Sequence, residues 1–297
     1  MFAPLTQAQI EQHSPVVNKE QKQQSQSGCE LDKKRDVQNT ISYEKLIKLA
    51  GKKHRIEQLY ISVQEFAAKS KKYTKIDIRK EKDFYDYRIA GSINLQPFEL
   101  HSKEFFKAKD IVIIDYGYRF GVVQKLAADL AAKGFKKVKI LDGGINSWIR
   151  YGGKTDGDKF KRTSSELITA KQYQTQIMYK EWHPVILRNV AVDKRALVQI
   201  PGAVEIDIRN KSESQVAELI NKQISSWLDI GANIELLIIP GKEINSWYMD
   251  EVVNKIPYPN LYLLKDGIKA YQKEVQMRQL ASSYDGKRKG AKKCGLQ

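Results

Sequence analysis

Between an apolar run, Ile111–Ile114, and an amphipathic stretch from Gly121 to Lys133, the chain reads Asp115-Tyr-Gly-Tyr-Arg-Phe-Gly121. These residue types at this spacing suggest three kinds of chemistry. A carboxylate at the head of a helix gains about 0.3–1 kcal/mol from the helix dipole, and Arg119 can pair with it, so Asp115 and Arg119 suffice as a structural plug. The same arginine is a natural fork for the oxygens of a small anion, with Tyr116, Tyr118 and Phe120 as its rim, although a carboxylate at Asp115 would repel that anion. Aromatic side chains with an arginine among them are also the types enriched at protein–protein hot spots. Exposure of Tyr116, Tyr118 and Phe120 to a protein partner is the preferred functional reading, and Gly117 and Gly121 complete the candidate loop.

Other reactive residues are few. The two cysteines, Cys29 and Cys294, lie in polar terminal stretches, which excludes a cysteine-rich zinc site and a disulfide framework inside the core. Both read as exposed spare thiols. Cys294 follows Gly286-Lys-Arg-Lys-Gly-Ala-Lys-Lys293, where neighbouring lysines would depress its pKa, so it is the one route to sulfur chemistry on a tail. The histidines, His13, His54, His101 and His183, are too dispersed for a metal site or a triad. No cofactor and no metal are expected.

Elements that could position the loop follow from periodicity. Apolar strand-sized runs alternate with helical patterns: strands at Thr74–Arg79, Ile111–Asp115 and Val138–Leu141, helices at Glu81–Tyr87 and Gly121–Lys133, then Gly143-Gly144 leading into a helix with Trp148. After a polar stretch the pattern resumes, with strands at Pro184–Leu187, Glu235–Ile239 and Leu261–Leu264 and helices at Glu213–Leu228 and Glu243–Lys255. Such alternation predicts an α/β protein with parallel sheets covered on both faces. The halves also echo one another in text, Ile89-Ala-Gly-Ser-Ile-Asn-Leu95 against Ile200-Pro-Gly-Ala-Val-Glu-Ile206, and Ile140-Leu-Asp-Gly-Gly-Ile-Asn-Ser-Trp148 against Leu263-Leu-Lys-Asp-Gly-Ile-Lys-Ala-Tyr271, as a duplication would.

The succession Ile76-Asp-Ile-Arg79, Arg88-Ile-Ala-Gly-Ser-Ile-Asn-Leu95, the strand Ile111–Asp115, Gly117-Tyr-Arg119 and Leu141-Asp-Gly-Gly-Ile-Asn-Ser-Trp148 resembles a rhodanese domain, and residues 166–275 resemble a second, more eroded copy. The resemblance implies two domains, each a mostly parallel five-stranded sheet with helices on both faces. It also implies an active-site loop of the form Cys-x-x-Gly-x-Arg whose amides stabilise a thiolate or persulfide. Here the cysteine slot falls on Ile114 or Asp115 in the first copy and on Ile239 or Pro240 in the second, and none of these can form a persulfide. The family's histidine before Ile-Pro-Gly-Ala is replaced by Arg88 and by Gln199.

The expected organisation is a disordered segment at 1–40, a short helix and linker at 41–56, a rhodanese-like domain at 57–155, a linker at 156–165, a degenerate rhodanese-like domain at 166–278 and a flexible basic tail at 279–297. The expected role is that of a noncatalytic, protein-binding or scaffold module, against a residual sulfurtransferase using Cys294 and a small-anion sensor using the first loop. Across 297 residues, 51 Lys and Arg against 35 Asp and Glu give a net charge of +16, but the lysines are scattered and no nucleic-acid recognition motif accompanies them. No run of about 20 apolar residues is present, which excludes a helical membrane span of ordinary length. The N-terminal residues lack the charged and apolar regions of a signal peptide. The expectation is a soluble protein, cytoplasmic by default and periplasmic or secreted if a leader has been removed. Partner identity and oligomeric state have no signature in the sequence.

Overall fold

The computed structural model describes residues 55–158, 166–189 and 200–291. The expected disordered segment, the helix around Ile41–Ala50, Cys29 and Cys294 all lie outside the described residues. The first lobe runs β1 (Tyr60–Ile61), α1 (Val63–Lys69), β2 (Thr74–Asp77), α2 (Glu81–Asp86), β3 (Tyr87–Ile89), β4 (Ile93–Asn94), α3 (Pro97–Leu100), β5 (Asp110–Ile114), α4 (Phe120–Ala132), β6 (Lys137–Leu141), α5 (Gly144–Arg150) and β7 (Thr155–Gly157). The second runs β8 (Leu167–Ile168), α6 (Ala170–Gln176), β9 (Trp182–Arg188), β10 (Val204–Asp207), α7 (Glu213–Asp229), β11 (Glu235–Pro240), α8 (Ser246–Asn254), β12 (Leu261–Leu264) and α9 (Gly267–Ala291).

Each lobe carries a five-stranded sheet, ordered β1-β6-β5-β2-β4 and β8-β12-β11-β9-β10. Counted along the chain within each sheet, both orders are first, fifth, fourth, second, third. Every pairing within the two sheets is parallel, while β3 and β7 form a separate antiparallel ribbon. Parallel strands covered on both faces must be apolar on both faces, which explains the unbroken runs Ile111–Ile114 and Leu236–Ile239, all at 0% exposure. The expected α/β class with two helix-flanked sheets is what the chain adopts.

Helix boundaries follow local chemistry. Ser212 and Gln215 exchange capping bonds and start α7. The helix expected from Glu243 begins three residues later, because Glu243 sits at φ +67° and Asn245 Oδ1 accepts from Tyr248 N at 2.8 Å. β7 crosses the expected boundary between first domain and linker, pairing Thr155 with Ile89. At the far end α9 continues to Ala291, into the segment expected as a flexible tail. Residues 276–282 contain neither Gly nor Pro, and Glu274 and Arg278 pair one turn apart at 2.7 Å, so nothing local stops the helix at 279. No helix among the described residues is long and apolar enough to cross a membrane.

Apolar clusters among the described residues hold the fold, and three of them bear on the loop. One lies within the first lobe around Phe66, Val112, Ile114 and Trp148, and another within the second around Val216, Ile220, Leu236 and Ile238. The third joins Tyr118 and Phe120 of the first lobe to Tyr173, Trp182, Ile239 and Tyr262 of the second. The loop singled out by the sequence therefore sits in a core shared by both lobes.

Candidate functional site

β5 ends at Ile114, whose side chain packs with Val112, Leu141 and Trp148 in the first-lobe core. The chain leaves the sheet at Asp115, which is 2% exposed. Its carboxylate is gripped by Arg119, whose Nε donates to Oδ1 at 2.9 Å and to Oδ2 at 3.0 Å while Nη2 donates to Oδ1. Burial disfavours the guanidinium charge, but the hydrogen bond to Asp115 and the charge of Asp115 together outweigh that cost and hold the arginine's pKa above its ordinary value. Two-pronged contacts between a guanidinium and a carboxylate are among the stronger polar contacts in proteins, so this pair fills the loop.

The turn after Asp115 needs a glycine. Gly117 has φ +102°, and a Cβ there would run into the Gly143 carbonyl and the Tyr262 hydroxyl. Gly144 in turn leaves space for the Asp115 carbonyl, which accepts from Ile145 N at 2.8 Å. The Gly143-Gly144 pair thus forms one wall of the loop.

The aromatic residues are not a surface for an outside partner, which corrects the expectation for Tyr118 and Phe120. Tyr118 is 6% exposed, lies edge-on to Tyr262 at 6.2 Å, and its hydroxyl accepts from Gln172 Nε2 at 2.6 Å. Burial and the Asp115 charge push its pKa up to about 12. Phe120 is 1% exposed and packs on Tyr179 at 5.1 Å and Trp182 at 6.2 Å. Gly121 faces the Tyr179 hydroxyl, which a Cβ would meet at 2.8 Å. These aromatics are covered by the second lobe of the same chain, because burying them removes far more apolar surface from water than exposing them would. Only Tyr116 keeps partial exposure, with its hydroxyl donating to Asp83 and accepting from Lys80 N at 3.3 Å. Burial and the Asp83 bond raise its pKa.

A cleft of about 430 Å³ remains beside the loop, lined by Lys80, Asp83, Tyr116, Tyr118 and Arg119 on one side and by Gln172 and Gln176 on the other. Gln172 and Tyr262, which complete this surroundings, were not legible from the sequence. Each lies more than 50 positions from the loop and carries no local motif.

Two further sequence features have structural roles. Arg79 and Asp77 are both 0% exposed and joined by Nη2–Oδ2 at 2.8 Å, with a second Nη2 bond to the Tyr87 carbonyl at 2.7 Å. Arg88 lies over the Phe84 ring at 5.1 Å.

In the second lobe Ile239 is fully buried in the shared core, and Pro240 ends β11. Gly267 approaches the Pro240 carbonyl as Gly144 approaches that of Asp115. The loop then diverges. A cavity of about 800 Å³ opens beside it, floored by Pro240, Met249, Val253 and Leu264 and edged by Lys242 and Lys265. Among the described residues, no group of three or more His, Cys, Asp or Glu is placed to hold a metal ion.

Residues 62–151 match the family model of the rhodanese-like domain. Solved structures similar to part of the chain include a rhodanese-related protein from Thermoplasma volcanium, at 23% identity over 33% of this chain and 96% of that one, with a TM-score of 0.29. A rhodanese-like domain from Anabaena is similar at 22% identity over 35% and 83%, with a TM-score of 0.32. A thiosulfate sulfurtransferase from Pseudomonas aeruginosa is similar at 17% identity over 69% of this chain and 40% of that one, with a TM-score of 0.29. No curated protein matches the chain.

Proposed function

We propose that the chain is a tandem rhodanese-like protein in which neither lobe uses a cysteine nucleophile, and that it works as a noncatalytic binding module. The observation that carries this reading is the ion pair inside the first loop. Where the family's loop would present a sulfur to its amides, Asp115 stands buried and doubly bonded to Arg119. A carboxylate cannot accept a sulfane sulfur, and its charge disfavours the anionic donors that the loop would otherwise hold. Pro240 offers no nucleophile either, and the shared strand order of the two sheets supports the tandem reading.

The same ion pair weighs against an anion sensor in this loop, because Arg119 already spends its fork on Asp115. Recognition of a protein partner then falls to side chains outside the loop. Phe98 at 74% exposure and Tyr85 and Phe105 at 66% are the large first-lobe side chains that such a partner could cover.

The test is steady-state sulfur transfer from thiosulfate to cyanide, measured on the full chain and on Cys29→Ser and Cys294→Ser. The expected result is turnover no higher than that of a protein-free control in all three. Turnover that is abolished by Cys294→Ser would replace the binding module with a tail-cysteine sulfurtransferase.

A further inference from the structure

Where the lobes meet, away from the loop, one arginine meets four carboxylates, three through its guanidinium and one through its backbone N–H. Arg55 Nη1 donates to Asp142 Oδ1 at 2.7 Å and to Glu235 Oε1 at 3.4 Å, Nε lies 3.1 Å from Glu57 Oε1, and the Arg55 backbone N–H donates to Glu181 Oε1 at 3.1 Å. Arg55, Glu57 and Asp142 come from the first lobe, Glu181 and Glu235 from the second. Asn260 Nδ2 ties the lobes again by donating to Asp142 Oδ1 at 3.1 Å and to Glu235 Oε1 at 3.4 Å.

The balance of charge here is poor. Glu235 is 0% exposed, and its Oε2 has no hydrogen-bond partner among the described residues; nor does Glu181 Oε2 or the Tyr60 hydroxyl, although the Arg55 guanidinium sits over the Tyr60 ring at 4.0 Å. Among the described residues the other titratable groups bring no second cation into contact with Glu235. His183 Nδ1 meets the Glu181 carbonyl at 2.8 Å, Lys139 Nζ donates to the Gln58 carbonyl, and the Tyr258 and Tyr262 hydroxyls go to the carbonyls of Ile234 and Gly143. Glu57 is half exposed and also accepts from Asn233, so water and that amide relieve part of its charge. An ionised carboxylate fully out of water and sharing one arginine with three others is costly, and a proton is the least expensive remedy.

We propose that the Arg55 cluster is a proton-operated clasp between the lobes: Glu235 as the neutral acid keeps the seam shut, and loss of its proton loosens the seam. Burial, reinforced by Asp142, lifts the Glu235 pKa well above the ordinary glutamate value. A raised acid pKa stabilises the folded seam fully below the unfolded value, and that contribution is lost as pH rises through the folded value. The consequence lands on the loop wall, since Asp142 immediately precedes Gly143 and Gly144. The inference stands independently of what the protein binds.

The test is hydrogen exchange of the full chain between about pH 5 and about pH 9, corrected for the intrinsic rate and read at 142–146 and 258–262 with α4 as the internal reference. Wild type should show seam exchange rising roughly tenfold or more across that range, one pKa unit of linkage being a factor of about ten, while Glu235→Gln stays flat. A flat wild type, or a variant that follows the wild-type slope, overturns the clasp. Carbon-13 glutamate NMR of wild type alone gives a second decision. One glutamate carboxyl should titrate well above the ordinary glutamate range, and finding all of them within that range overturns the proposal even if the variant does not fold.

Discussion

After the fourth strand of each sheet the chain faces the same geometric problem and solves it in two ways. In the first lobe Asp115 turns inward, Arg119 closes on it, and Tyr118 and Phe120 are sealed under the second lobe. In the second lobe Pro240 leads into Gly241–Asn245, and a cavity of about 800 Å³ stays open. In both, a glycine meets the carbonyl at which the chain leaves the sheet, Gly144 that of Asp115 and Gly267 that of Pro240. What differs is whether the loop has a neighbouring lobe to bury against, so one scaffold can retain its backbone turn while the use of the space above it changes.

The tripeptide Asp-Ile-Arg supplies a second contrast. At 77–79 and at 207–209 it folds into the same fork, with Arg N donating to Asp Oδ1 at 3.0 Å in each. Asp77 and Arg79 are 0% exposed, whereas about half of each partner's side chain is exposed in the other fork. Burial raises the Asp77 pKa against the pull of Arg79, while the bond to Arg209 lowers that of Asp207. The same pattern of Asp–Arg hydrogen bonds thus accompanies opposite shifts of two aspartates, and burial decides the direction.

These contrasts can be broken by substitution. Phe120→Ala should cost about 3–5 kcal/mol in denaturant unfolding, and Phe98→Ala, on the exposed face, within about 0.5 kcal/mol. Equal losses would mean the loop aromatics are not a shared core. Asp77→Asn should cost about 1.5–3 kcal/mol, since it weakens charge-assisted bonds that water cannot replace, whereas Asp207→Asn, in a fork open to solvent, should cost less. In an NMR pH titration Asp207 should ionise below the ordinary aspartate range and Asp77 above it. By linkage the Asp207 contribution is present above the unfolded pKa and lost as pH falls, whereas that of Asp77 is lost as pH rises through its folded value. Gly117→Ala should cost about 1–3 kcal/mol, and more than Gly202→Ala, which also has positive φ but open space around it. The smallest effect is kinetic. An Asp115→Cys thiol should react with a bulky disulfide reagent far more slowly in the folded chain than in the denatured one.

The strands were legible because a parallel sheet buries both faces and writes itself as runs such as Ile111–Ile114. Helix starts were less so, since Asn245, rather than the preceding charged residues, sets the first turn of α8. The loop residues could be read from their order, but their exposure could not, because Gln172, Tyr179, Trp182 and Tyr262 arrive from distant parts of the chain. The Arg55 cluster was invisible for the same reason. Glu235 reads as an ordinary polar residue at the head of an apolar strand, and only the packing of the lobes removes it from water.

The central claim is that the chain handles no sulfur at either loop. Incubating the full-length protein with thiosulfate and weighing it intact tests this most directly. The account predicts an unchanged mass, and a stable gain of one sulfur atom that survives replacement of both Cys29 and Cys294 by Ser would contradict it.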